Sequence, residues 1–168
     1  DRADGSGLHL IDINQTDARI RTVANFLSRY DPERILVVSA RQYGQRPARK
    51  FAQSIGAKRI VGRFIPGTLT NPKLRTYTEP EVLVVTDPAA DSQALSEAVS
   101  TGLPIVGIVD ANNTLRNVDL ALPANNKGRR SLALIYWLLA REMLTSRGAT
   151  NYADWERAQD VEEWESTF

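Results

Sequence analysis

The chain has 168 residues, 42% of them apolar and 24% charged, with a net charge of +1, no cysteine and one histidine, His9. That composition supports a domain with its own core, and it excludes a disulfide scaffold, a thiol nucleophile, an iron–sulfur cluster, a cysteine-type zinc site and any paired-histidine metal site. No apolar run approaches the ~18 residues of a membrane span, and no signal peptide is visible, so the expectation is a soluble intracellular domain.

Gly5-Ser6-Gly7 reads as a flexible lead-in, and the apolar run Leu8–Ile13 predicts a first strand. Ile20, Val23, Ala24 and Leu27 recur at helical spacing. Ile35–Val38 predicts the next strand. A helix follows with the stripe Ala48, Phe51, Ala52 and Ile55, Pro47 in its first turn and Gly56 past its end. Ile60–Val61 predicts a short strand, after which residues 62–81 are rich in turn formers and predict a long loop, ordered by its aromatic and aliphatic content. Val82–Val85 is a strand. Asp91 is a good N-cap for a helix carrying Leu95, Ala98 and Val99, which stops at Gly102 before Pro104. Ile105–Val109 and a weaker run at Val118–Leu122 predict two more strands. The longest helix spans about Arg129 to Ser146, with Leu132, Ile135, Tyr136, Leu139 and Met143 on one stripe.

The central strands are continuously apolar, as parallel strands covered on both faces are. The alternation predicts an α/β fold, a mostly parallel, doubly wound (flavodoxin-like) sheet with helices on both faces. The chain divides into this unit, residues 1–148, and an acidic, aromatic C-terminal extension, residues 149–168. The extension is expected either as a short docked helix or as a flexible tail, with Tyr152, Trp155 and Trp164 available to a protein partner.

Charge is unevenly distributed. Residues 151–168 hold six acids and one base. Residues 34–78 hold ten bases and no acid, where an even spread of the 20 acids would place about five. Such a stretch is either a solvated basic face or the footprint of a polyanion. Within it, Arg41, Tyr43, Gln45 and Arg46 follow a strand and open a helix, and Arg46, Arg49 and Lys50 are spaced to neighbour one another on its surface. Guanidinium forks match phosphate geometry, and Tyr43 is placed to stack on an unpaired base. Arg63, Lys73 and Arg75 extend the basic set into the 62–81 loop. A second basic opening, Lys127, Arg129 and Arg130, begins the long helix. Cations there oppose the helix dipole, a cost that an anionic ligand would offset.

The signatures of nucleotide binding are missing: no G-x-G-x-x-G follows the first strand and no G-x-x-x-x-G-K-[ST] occurs. Asp87 and Asp110 end predicted strands, where doubly wound enzymes place catalytic groups, so a small-molecule enzyme using both is the alternative. Equally, Asp87-Pro88 and Asp110-Ala111-Asn112-Asn113 fit turn chemistry.

Residues 63–72, Arg63-Phe64-Ile65-Pro66-Gly67-Thr68-Leu69-Thr70-Asn71-Pro72, resemble the central loop motif of the small-subunit ribosomal protein S-two family. Pro80 to Asp87-Pro88, with Asp91, Leu95, Glu97 and Gly102-Leu103-Pro104, resemble its second signature. Val118 to Pro123, Asn125-Asn126-Lys127-Gly128 and Trp137 to Glu142 resemble its last strand and helix. The resemblance covers roughly residues 8–148. It implies a three-layer αβα fold without enzymatic activity, cofactor or small-molecule substrate. It also implies binding to small-subunit ribosomal RNA and neighbouring ribosomal proteins on the cytoplasmic small subunit. The family's opening segment with a G-x-H-x-G-like motif is not found, so a truncated version is expected. The helical hairpin of bacterial members is absent, which points to the archaeal or eukaryotic branch, and the C-terminal extension is short for most eukaryotic members, so an archaeal type is expected.

Overall fold

The computed structural model describes residues 2–3, 9–10, 13–110 and 115–167, with side chains from Asp17 onward. Gly5-Ser6-Gly7, the Ala111-Asn112-Asn113 turn and Phe168 lie outside the described residues. Arg2–Ala3 (β1) pairs antiparallel with His9–Leu10 (β2) in a ribbon of its own. The expected strand Leu8–Ile13 is therefore cut short, because Ile13 already opens helix α1, Ile13–Leu27. A short, largely apolar run does not by periodicity distinguish a strand from the start of a helix.

Five parallel strands form the main sheet: β3 (Ile35–Ser39), β4 (Lys58–Val61), β5 (Val82–Val85), β6 (Ile105–Val109) and β7 (Leu120–Pro123). Their order is β4-β3-β5-β6-β7, the doubly wound order expected, with registers Leu36↔Lys58, Ile35↔Val82, Leu83↔Ile105 and Val106↔Leu120. Side chains alternate between two cores. Ile35, Val37, Val82, Val84, Val106, Ile108 and Leu122 face α1, α2 (Gln42–Ile55) and α4 (Arg129–Ser146). Leu36, Val38, Leu83, Val85 and Ile105 face α3 (Ser92–Thr101) on the other side. Burying each such side chain contributes about 1.5–3 kcal/mol, so the sheet is the rigid plate of the molecule.

The 62–81 loop joins β4 to β5 where a crossover helix would normally lie. Leu69 from this loop is buried with Phe64 against the α3 side of the sheet, so the loop covers that face itself. Glu97 of α3, buried, holds it in place: its carboxylate accepts from Gly67 N at 2.8 Å and Leu69 N at 3.0 Å. The expected α3 stripe shifts accordingly. Val99 is 45% exposed, and the inward positions are Ala94, Glu97 and Ala98.

Beyond α4, the extension docks. Helix α5, Tyr152–Ala158, is capped by Asn151, whose side chain accepts from Asp154 N at 2.9 Å. Trp155 and Trp164 are buried in the same core as the sheet, and Trp155 lies 5.9 Å from Trp137 and 5.8 Å from Trp164 between ring centroids.

Candidate nucleic-acid interface

The carboxyl ends of β3 and β5 lie where the winding of the sheet reverses, the crevice in which doubly wound proteins hold ligands. Here the crevice is filled by the chain itself. Asp91 sits at the N-cap position of α3 but makes no side-chain bond to its own helix. Its carboxylate reaches back to accept from Ala40 N (2.7 Å), Thr86 N (3.1 Å) and Asp87 N (3.0 Å). Burial pushes its pKa up to about 6; the backbone donors oppose that rise, while the Asp87 charge adds to it.

Asp87 is itself buried. It pairs with Arg41 and accepts from Ala89 N at 3.0 Å. Thr86 Oγ1 donates to Val38 O and accepts from the Tyr136 hydroxyl, both at 2.7 Å. Burial raises the Tyr136 pKa, with the Asp91 charge adding and the Thr86 bond opposing. Gly44 lets the first turn of α2 press onto this plug, for a Cβ there would lie 2.5 Å from Ser39 Oγ and 2.6 Å from Thr86 Cγ2. Asp87 is thus committed to an internal ion pair, and no group of three or more potential metal ligands occurs among the described residues.

The basic residues lie around the rim. Helix α2 starts at Gln42, five residues before Pro47, so Pro47 stands in the helix interior instead of its first turn. Arg41 is half-buried and held by Asp87. Tyr43 is 39% exposed. Gln45 donates from Nε2 to Ala40 O at 3.3 Å. Arg46, Arg49 and Lys50 are half-buried, and Nε of Arg46 donates to Glu163 O. Lys127, Arg129 and Arg130 are exposed at the opening of α4, whose N-cap is Gly128. Arg129 Nη1 donates to Ser166 O at 3.4 Å, and Arg130 lies 4.0 Å from Glu165. Helices α2 and α4 pack against each other, and Ser166 touches both openings, its Oγ at Gln42 O and Tyr43 O and its carbonyl at Arg129, so Tyr43, Arg46, Arg129 and Arg130 lie along one strip. Arg63 is exposed directly after β4.

Lys73 and Arg75 are exposed on the 62–81 loop, Lys73 with its N–H donating to Asn71 Oδ1 at 3.1 Å. The residue after Arg75, Thr76, lines a shallow cavity of about 530 Å³ with Lys58 and Arg59 at the start of β4, toward the opposite end of the sheet. Lys58 and Arg59, absent from the expected set, are exposed on this edge strand. Of the aromatic residues expected to reach a protein partner, Trp155 and Trp164 face inward, since indole rings bury large apolar areas, Trp155 against Trp137 and Trp164 against Trp155. Tyr152 is 42% exposed, stacked 4.0 Å from the Arg141 guanidinium and bonded to Glu142. Sequence reasoning missed Ser166, whose Oγ reaches Gln42 O and Tyr43 O at 2.9 and 3.1 Å. The signal for such a donor is Pro47, which has no N–H to give Tyr43 O.

A family model described as Ribosomal protein S2 matches residues 72–146. Two archaeal relatives are similar along most of the chain. The small ribosomal subunit protein uS2 of Haloquadratum walsbyi is 55% identical over 148 residues, 88% of this chain and 53% of that protein. The small ribosomal subunit protein uS2 of Methanoregula boonei is 58% identical over 147 residues, 88% of this chain and 72% of that protein. The chain therefore spans about half the length of the first and under three quarters of the second.

Proposed function

Because the chain belongs to the ribosomal protein S2 family, we propose that it is a structural component of the small ribosomal subunit that binds small-subunit ribosomal RNA and adjoining ribosomal proteins. The observation that carries the RNA reading is the strip formed by the adjacent openings of α2 and α4. Its arginines stand on helices packed to a rigid sheet, so their spacing can match successive phosphates while Tyr43 offers a stacking face. The plugged crevice favours this reading over small-molecule chemistry at Asp87 and Asp110. Exposed Arg63 extends the strip, Lys58 and Arg59, with Arg75 next to Thr76, supply a second basic region on the β4 edge, and Lys73 adds a further exposed cation on the 62–81 loop.

Binding through phosphate neutralisation depends steeply on salt. Replacing exposed Lys127 and Arg130 by Glu is expected to lower RNA affinity and to reduce the slope of log K against log salt by about two units. Folding stays intact, because exposed charges contribute little to stability. Filter binding across a salt series checks this; an unchanged slope would remove the α4 opening from the interface. Sucrose-gradient sedimentation of lysate from the source organism tests the wider reading. The protein is expected with small subunits through a moderate salt wash. Recovery only in the soluble top fractions, with subunits intact, would overturn it.

A further inference from the structure

The C-terminal segment meets the two basic helix openings through hydroxyl and carbonyl groups. Ser166 Oγ lies 3.1 Å from Tyr43 O, the carbonyl that residue 47 would serve in an unbroken helix. The Ser166 carbonyl accepts from Arg129 Nη1, and the Glu163 carbonyl accepts from Arg46 Nε. Between these two contacts Trp164 is fully buried, its Nε1 donating to Gln159 Oε1 at 3.2 Å, while Gln159 O accepts from Trp137 Nε1 at 3.1 Å. The segment is therefore anchored at both ends of its passage across α2 and α4.

A carbonyl orients a guanidinium without cancelling its charge. Engaging Nε leaves the Nη1 and Nη2 donors of Arg46 for a phosphate. Among the acids of the segment, Glu165 is 4.0 Å from an Arg130 whose side chain is 92% exposed, a pair that contributes little. We infer that residues 159–167 are a positioning strap for the proposed RNA interface. Ser166 latches the strap to the start of α2, and the Glu163 and Ser166 carbonyls hold Arg46 and Arg129 in register for successive phosphates. Ser166 is a positioning residue and needs no contact with RNA. The inference rests on the RNA reading. The opposite arrangement, in which the acidic segment guards the arginines against RNA, predicts the reverse sign.

The test uses the full chain, purified small-subunit ribosomal RNA and filter binding over a KCl series. Unlatching the strap with Ser166→Ala is expected to weaken RNA binding by about three- to tenfold, from the ordering of two long side chains that the RNA must then supply. The salt slope should stay near that of the wild type, because no cation is removed. The double variant Pro47→Ala with Ser166→Ala separates positioning from stability. It gives Tyr43 O a helical N–H, so stability recovers while RNA affinity stays low. Ser166→Thr, which keeps the hydroxyl, restores binding. If affinity returns together with stability in the double variant, the latch is only structural and the inference fails. If Ser166→Ala binds as tightly as the wild type or more tightly, it also fails. A wild-type chain without salt-dependent binding would instead overturn the RNA reading, and the strap's role with it.

Discussion

Asp91 stands where a doubly wound protein holds a bound anion, and it satisfies three backbone N–H groups from two different strands' ends. Its usual value of 3.8 rises to about 6 chiefly through burial. A carboxyl whose folded pKa is raised binds its proton more tightly in the folded state. Stability from this group is then greatest below about pH 4, falls as pH rises toward 6, and is level above that. The stability advantage of the wild type over Asp91→Asn should shrink between pH 4 and 6 by on the order of 3 kcal/mol, read from urea midpoints at each pH. An advantage that grows with pH would mean that the three donors outweigh burial.

At the scale of elements, the 62–81 loop replaces a helix, and one side chain of α3 fastens it. Burial works to raise the Glu97 carboxyl, but the Gln93 amide and the Gly67 and Leu69 N–H groups outweigh it and hold its pKa below the usual value. This fastening is present above the ordinary Glu range and is lost as pH falls through the lowered folded value. Glu97→Ala should open the loop by about 3 kcal/mol, from two lost bonds to a charged acceptor. The expected readout is faster limited proteolysis within 62–81 at neutral pH, with the sheet resistant; equal cleavage of variant and wild type would mean that Leu69 and Phe64 hold the loop alone. The elements themselves were largely legible. Helix α4 runs over Arg129–Ser146, because eighteen residues give an apolar stripe several turns to declare itself and Gly148 follows. The fastenings were not legible. Glu97 looks like a solvated position, and its partners lie 28 and 30 residues away on a loop without periodicity. Asp91 satisfies every local criterion for an N-cap, yet its acceptors are claimed by strand ends. The basic helix openings were readable as local runs, whereas the contacts that organise them come from 117 to 124 residues downstream for α2 and from 37 residues downstream for α4.

For the molecule as a whole, the extension is continuous with the main core. All three tryptophans of the chain, Trp137, Trp155 and Trp164, form one cluster in it. Unfolding followed by tryptophan fluorescence should therefore coincide with unfolding of the sheet followed by far-ultraviolet circular dichroism, in one transition. A fluorescence change at lower denaturant would show that the extension opens as a separate unit. The latch at Ser166 also sets an order of events during synthesis. The opening of α2 is made early, but the hydroxyl that completes it stands 124 positions after Gln42. At the ribosomal elongation rate of about 5–20 residues per second, that gap lasts on the order of ten seconds. Through that interval the nascent sheet can collapse while its arginine strip stays unlatched, so the surface proposed to meet RNA is finished only after the downstream segment has left the exit tunnel.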